Sequence, residues 1–416
     1  MNRVVVTGLG AVTAVGHSPE QTFAACLAAR SGVRRAPELA FSPGIPLVAS
    51  ANFDAASIVL MRRSAPLDRA TAMAVASVRQ AVADAGTNLG PGSPRTGIYW
   101  GTGMGGAGTL EDAYRAVFRD DDWHLKPTSI VTGMNNAPAA VISLEYGVTG
   151  PALTYSIACA SSAVAIGEAM RAIRNDVIDC AIVGGSEALL TKGILCAWTA
   201  LRTLAKEDPE DPARSCKPFS GERSGFVLGE GAAALVLESA ARAEHRGAAG
   251  YAELAGFGLT SDATHISDPS PGGQARAMRA ALEDAAVDVE DVGYISAHGT
   301  ATPVGDRVET ASIKQAFEAH ASKIAVSSTK AVHGHVMGAT GAIEFMIALL
   351  ALQSGSLPPT AHLTSADPNL DLDFVPVHAR HGVELTAVVS NSFGFGGTNA
   401  VLVARQTTPR RQARHG

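Results

Sequence analysis

Three stretches of this chain carry side chains suited to nucleophilic and proton-transfer chemistry. The first is Thr154 to Ile173, TYSIACASSAVAIGEAMRAI, with Cys159 at an abrupt turn. The pattern predicts a short buried strand over Ala152 to Ala158, the turn, and then a helix. A cysteine at a helix N-terminus faces unpaired N–H groups and the positive end of the helix dipole. Both favour the thiolate, the nucleophilic form. A free cysteine at a packed junction is more often a small inert hydrophobe. The catalytic reading therefore requires a partner base elsewhere in the fold. The second stretch, YISAHGTATPVGD from Tyr294 to Asp306, supplies His298. The third, SSTKAVHGHVMGATGAIE from Ser327 to Glu344, supplies Lys330, His335 and Glu344. Both histidines follow apolar strands, beside Gly and Thr, where α/β proteins build their sites.

The elements that must position these residues alternate along the chain. Strands are expected at Arg3–Thr7, Gly97–Trp100, Cys180–Gly184 and Ala232–Ser239, and again at Val292–Ala297, Ile324–Ser328, Val388–Ser392 and Ala400–Ala404. Helices are expected over Pro19–Ala29 with Ser18 as cap, Leu67–Gly86, Ala137–Tyr146, Asp306–Phe317 and Gly341–Leu352. Strand, polar turn and small-residue helix thus occur twice, around Cys159 and around Lys330 to Gly341. Continuous apolar strands between helices predict mostly parallel sheets covered on both faces. Gly8-Leu9-Gly10 after the first strand invites a dinucleotide reading. Thr13 stands where the third glycine belongs and no acidic residue closes a second strand, so the fingerprint is incomplete.

Composition narrows the classes. The 416 residues carry a net charge of -6 with no long run of one sign, which excludes a nucleic-acid footprint. Cys26, Cys159, Cys180, Cys196 and Cys216 show no CxxC spacing, a reduced, cytoplasmic pattern with neither disulfide framework nor metal site. The N-terminus has no signal-peptide form. The most apolar helix, Ala342 to Leu352, is shorter than the roughly 20 residues a span needs. The basic tail RQTTPRRQARHG reads as a solvated end.

Taken together, ACASS at Cys159, HGTATPVGD from His298, STKAVHGHVMGATGAIE, NSFGFGGTN from Asn391 and PFSGERSGFVLGEGAAALVLE from Pro218 resemble the β-ketoacyl-[acyl carrier protein] synthases of the elongating, two-histidine class. The resemblance runs from about Arg3 to Arg405. It implies an α/β, duplicated thiolase-like fold, layered α-β-α-β-α with two mixed sheets around buried helices. The halves would be 1–250, carrying the nucleophile, and 251–405, carrying the histidines, with a polar tail over 406–416. It implies an acyltransferase in which Cys159 takes the acyl chain and His298 and His335 stabilise an enolate. Lys330, paired with Glu344, would hold His335. The backbone N–H groups of Cys159 and Phe395 would form the oxyanion hole, and Thr300 and Thr302 would hold the pantetheine arm. Met104, Trp198 and Phe395 would line the acyl pocket. No cofactor is implied beyond the phosphopantetheine arm of an acyl carrier protein, the partner. A homodimer is implied, with Ala137–Tyr146 and Ala152–Ala158 near the two-fold; a heterodimer with a related subunit is the alternative.

The histidine pair separates neighbouring classes. Thiolases use a second cysteine as base, initiating ketosynthases have asparagine where His335 stands, and non-catalytic chain-length partners lack the cysteine. A scaffolding subunit and a Cys/His thioester hydrolase are the rival readings. The hydrolase would leave one histidine and Lys330 surplus. Three positions depart from the elongating pattern. Met104 replaces a bulky aliphatic residue, Trp198 a phenylalanine and His333 a threonine, which is reminiscent of specialised ketosynthases and leaves the substrate chain open.

Overall fold

The computed structural model describes residues 2–41, 44–60, 67–89 and 92–407. Of the basic tail, residues 408–416 lie outside that range.

Its strands are β1 (Val4–Val12), β2 (Val33–Arg35), β3 (Leu47–Ala49), β4 (Thr96–Gly101), β5 (Ala152–Tyr155) and β6 (Cys180–Ala188), then β7 (Leu228–Ser239), β8 (Ala252–Ser261), β9 (Val292–Ser296), β10 (Ala325–Ser327), β11 (Ala387–Gly394) and β12 (Thr398–Arg405). The main path runs β10-β9-β11-β12-β8-β1-β7-β6-β4-β5. Read outward from its middle, it is one arrangement used twice. From β1 the pairings are antiparallel to β7, antiparallel to β6, parallel to β4 and parallel to β5. From β8 they are antiparallel to β12, antiparallel to β11, parallel to β9 and parallel to β10. The two five-stranded sheets touch edge to edge where Val5 and Val6 pair with Glu253 and Ala252.

The repeat extends to side chains. A Cβ on Gly8 would fall 2.1 Å from the Ala81 carbonyl oxygen, and one on Gly256 would fall 2.2 Å from that of Ala281. Helices Arg69–Ala85 and Pro271–Ala285 therefore lie directly on β1 and β8. Asp84 then accepts from Leu9 N–H at 2.8 Å, and Asp284 from Phe257 N–H at 2.9 Å. Gly8 and Gly10 thus serve helix–strand packing. The first strand accordingly continues through them to Val12, past the end expected at Thr7.

Helices Ser161–Arg174 and Thr340–Ser354 lie between the sheets. The second is apolar on every side, the pattern of a helix with no solvent face. They meet where a Cβ on Gly341 would fall 2.9 Å from the Cβ of Ala163. Met337–Ser354 is long and apolar enough to cross a membrane by length and composition, longer than the run read from sequence, and 83% of it is buried inside the protein. Strand β8 and helix Pro271–Ala285 escaped the sequence reading, because the frequent Gly and Ala of GFGLT and GGQARAMRAAL blur both periodicities.

Candidate active site

The nucleophile turn is tighter than the expected strand allowed. Strand β5 ends at Tyr155, three residues before Ala158. The Ser161 hydroxyl accepts from Ile157 N–H at 2.8 Å and donates to the Ala158 carbonyl at 2.7 Å. Ala158 sits at φ 45°, a left-handed conformation that costs a side-chain-bearing residue energy and throws Cys159 forward. The strand was expected to be buried. Instead β5 is the sheet's edge, with Leu153 45% exposed.

Cys159 itself is buried, and its thiol is pushed up to about 11, chiefly by loss of water. The Lys330 charge and the backbone N–H groups of Phe395 and Cys159 pull the other way. The helix-end effect anticipated for the thiolate is present in kind. It is outweighed, because a fully buried anion loses more hydration than these dipoles return.

His298 and His335 converge on the thiol. Ligand-type atoms of Cys159, His298 and His335 all lie within 4.8 Å of one another. The two imidazoles meet edge to face, centroids 5.4 Å apart and planes at 83°. Burial first, then the Lys330 charge, holds both well below the usual imidazole range, so both are neutral. The tautomer of His335 follows from its neighbours. Met337 N–H donates to its Nδ1 at 3.2 Å, and the Thr340 hydroxyl lies 3.0 Å from the same atom. An Nδ1 that accepts leaves the proton on Nε2, so Nε2 is the ring's donor.

Carboxylates and Lys330 fix the backbone around these rings. Lys330 Nζ donates to the His298 carbonyl and, at 2.6 Å, to Glu344, with both side chains fully buried. Burial raises the Glu344 carboxyl and Lys330 opposes that rise. Glu309, absent from the residues singled out in the sequence, accepts from His298 N–H at 2.8 Å and Gly299 N–H at 2.7 Å. Asp306 accepts from Ala301 N–H at 3.0 Å and Phe219 N–H at 2.7 Å, and burial pushes it up to about 7. Its place in the turn after His298 was legible; that it holds two loops together was not. Glu187, also missed, accepts from the turn after β4 and from Gly338 N–H. A buried acid on an apolar strand was the signal that could have found it.

A cavity of about 280 Å³ reaches from the surface to Cys159, His298 and His335, passing Thr300, Thr302 and Phe395. Thr300 and Thr302 share a hydrogen bond of 2.9 Å, and Thr302 also caps helix Pro303–Phe317, which starts three residues earlier than expected. Lys330 and Glu344 stand behind the histidines, off the cavity wall. Trp198 packs against Phe226 and Phe395, ring centroids 5.4 and 5.9 Å away, in the cluster that includes Cys159 and Met337. Met104 is 44% exposed, and of the three residues expected to line the acyl pocket only Phe395 lines this cavity; Met104 and Trp198 do not. His333 is fully buried, bonded to the Thr329 hydroxyl at 2.9 Å, and held down at about 3 by burial.

Residues 1–243 match the β-ketoacyl synthase N-terminal domain and residues 251–364 its C-terminal domain. The chain belongs to the β-ketoacyl synthase family. Relatives of the β-ketoacyl synthase type cover it nearly end to end. A Staphylococcus aureus (strain COL) 3-oxoacyl-[acyl-carrier-protein] synthase 2 is 37% identical over 97% of this chain and 98% of its own. A Coxiella burnetii protein of the same description is 38% identical over 96% and 98%. A solved β-ketoacyl synthase from Burkholderia phymatum superposes with a TM-score of 0.90 at 33% identity, covering 98% of this chain and 100% of that one. The ishigamide ketosynthase/chain length factor gives the same TM-score, 0.90, at 31% identity and the same coverage, 98% and 100%. The duplicated α/β fold is thus a thiolase-like ketosynthase fold, as the sequence motifs implied.

Proposed function

We propose that this β-ketoacyl synthase joins a cysteine-bound acyl chain to malonyl-[acyl carrier protein] by decarboxylative Claisen condensation, in fatty-acid or specialised polyene/polyketide synthesis. The observation that carries the reading is the buried convergence of one thiol and two neutral imidazoles, with His335 presenting Nε2–H.

Cys159 sulfur attacks the acyl thioester of the carrier. The carbon–sulfur bond to pantetheine breaks, and the cysteine's proton leaves with the pantetheine thiol. Backbone N–H groups of Cys159 and Phe395 stabilise the tetrahedral oxyanion. Malonyl thioester then enters, and its carboxylate leaves as CO2. The electron pair passes into an enolate whose oxygen accepts from His298 and His335. Neutral rings suit this step, because the donated proton is shared and kept. The enolate carbon attacks the acyl carbonyl, the bond to Cys159 breaks, and the released thiolate takes a proton from water. Overall, acyl-carrier, malonyl-carrier and one proton give β-ketoacyl-carrier, free carrier and CO2. Lys330, held in place by Glu344, grips the His298 backbone, and burial together with the Lys330 charge keeps both imidazoles neutral. The reaction needs no metal or redox group, and Thr300 and Thr302 guide the pantetheine arm that the carrier brings.

A homodimer completes the assembly in this reading. The open edge of β5 carries exposed Leu153, and Leu144 on the adjacent helix is 53% exposed. An unpaired apolar strand edge is a ready pairing site for a second copy. Met104, exposed in the single chain, would then be covered as part of the acyl pocket.

The test is mass spectrometry of carrier-bound products from malonyl carrier protein and acyl primers of graded length. Carrier-bound chains longer by one ketide unit are expected. Release of free acid with no new carbon–carbon bond would point to a hydrolase, and no covalent acyl-enzyme to a scaffolding subunit.

A further inference from the structure

Glu187 stands at the end of β6, fully buried, and takes no part in the steps above. Four donors converge on its carboxylate. Gly103 N–H at 2.6 Å and Gly338 N–H at 2.9 Å reach Oε2. Met104 N–H at 3.1 Å and the Thr102 hydroxyl at 3.2 Å reach Oε1. That hydroxyl in turn accepts from Gly105 N–H at 3.0 Å, so the whole turn after β4 wraps the carboxylate. Successive N–H groups around one anion form a nest, and its geometry depends on the anion being there.

The fourth donor comes from the other half of the molecule. Gly338 presses on the β4 turn so closely that a Cβ on it would fall 2.3 Å from Gly103 N. Its neighbour Met337 is held at φ 41°, a conformation sparsely populated outside glycine. Met337 N–H is the donor that makes His335 Nδ1 an acceptor, at 3.2 Å. One peptide unit therefore separates the grip of Glu187 from the tautomer of His335.

We propose that Glu187 is a positioning residue: its carboxylate anchors both the turn carrying Met104 and the turn whose Met337 N–H sets the tautomer of His335. The turn after β4 and the condensing histidine are thereby held in one register. Burial pushes this carboxyl up to about 7 while its four donors pull it back toward the anion, and a neutral amide with a single acceptor oxygen cannot receive donors on both of its terminal atoms. The kinetic consequence rests on the condensation reading; the structural consequence does not.

The experiment is Glu187→Gln in the full-length protein, labelled with ¹⁵N at histidine. The ring shifts of His335, assigned with His335→Ala, report its tautomer. The wild type is expected in the Nε2–H form and the variant to populate the Nδ1–H form. Condensation should fall about tenfold to a hundredfold, up to the loss seen for one missing transition-state donor, with acylation of Cys159 falling less. Glu187→Asp, which keeps the charge, should restore part of the rate. An unchanged His335 tautomer in folded Glu187→Gln overturns the proposal. So does an equal fall in acylation and condensation, the result of general loosening. Should that variant not fold, Thr102→Val removes one donor and the Gly105 link; the same direction of tautomer change supports the proposal and none overturns it. A wild type that cannot condense malonyl would end the functional reading, while the tautomer comparison would still decide this one.

Discussion

The Sγ of Cys159 and the Sδ of Met337 lie 4.0 Å apart across 178 residues of chain. Met337 also gives its N–H to His335. The nucleophile and the condensing histidine thus share a neighbour, and the two duplicated halves meet at their chemistry. Each half supplies what the other lacks: one the thiol, the other the donors.

That division predicts separable defects. Cys159→Ala is expected to abolish the acyl-enzyme seen by intact-protein mass spectrometry while CO2 release from malonyl carrier protein stays measurable. His298→Ala and His335→Ala should each slow condensation by about 100-fold or more, the cost of one lost donor. His335→Ala should leave acylation of Cys159 more intact than condensation. A covalent acyl-enzyme in Cys159→Ala, or wild-type turnover in either histidine variant, would sink the mechanism.

The raised thiol sets a pH dependence. Burial lifts Cys159 from 9.0 to about 11, so the folded state holds its proton after the unfolded chain has lost it. Stability from this group is therefore fully present below pH 9 and is lost as pH rises toward 11. Alkylation of Cys159 by iodoacetamide in the free enzyme should keep climbing beyond pH 9, where a cysteine peptide levels off. A plateau below pH 9 would mean that the helix-end dipoles dominate after all.

Lys330 and Glu344 form a fully buried pair, so removing one partner strands a charge. Lys330→Ala is expected to lower unfolding free energy by about 3–5 kcal/mol in a denaturant titration. Lys330→Met with Glu344→Leu should recover much of that stability without recovering condensation, because the His298 carbonyl loses its donor. Recovery of both would show that the pair serves packing alone.

Trp198 and Phe395 are in contact, so the indole bears on the residue whose N–H faces the sulfur. Tryptophan is larger and more rigid than phenylalanine. Strain of about 1–3 kcal/mol from an over-filled pocket corresponds to roughly one to two orders of magnitude in rate. Trp198→Phe should extend the range of primer lengths that acylate Cys159. Equal rates for variant and wild type across a graded primer series would mark Trp198 as core filling only.

The open β5 edge predicts association. Sedimentation should give a dimer, and Leu153→Lys, placing a charge on that edge, should shift it to monomer. A fully active monomeric wild type would refute the assembly.

How much of this was legible in the sequence differs by residue. Cys159, His298, His335, Lys330 and Glu344 were readable because each sits in a motif whose residue types serve a reaction. Strand and helix alternation was readable because hydrophobic period is a local property. The pairing of Lys330 with Glu344 was expected. That Lys330 also grips the His298 backbone depends on a fold that brings residues 32 apart into contact. The net rise of the Cys159 thiol was decided by burial, which no neighbour in sequence reports. Gly8 and Gly10 were legible as an incomplete nucleotide fingerprint, but their packing role showed only with helix Arg69–Ala85 lying on them. Glu187 showed in the sequence only as an acid on an apolar strand, because its meaning lies in four donors from two distant turns. The sequence by itself determined which groups can react and what they can do. The tertiary structure decided their charge, tautomer and register, because those depend on solvent exclusion and on contacts between segments that the chain keeps far apart.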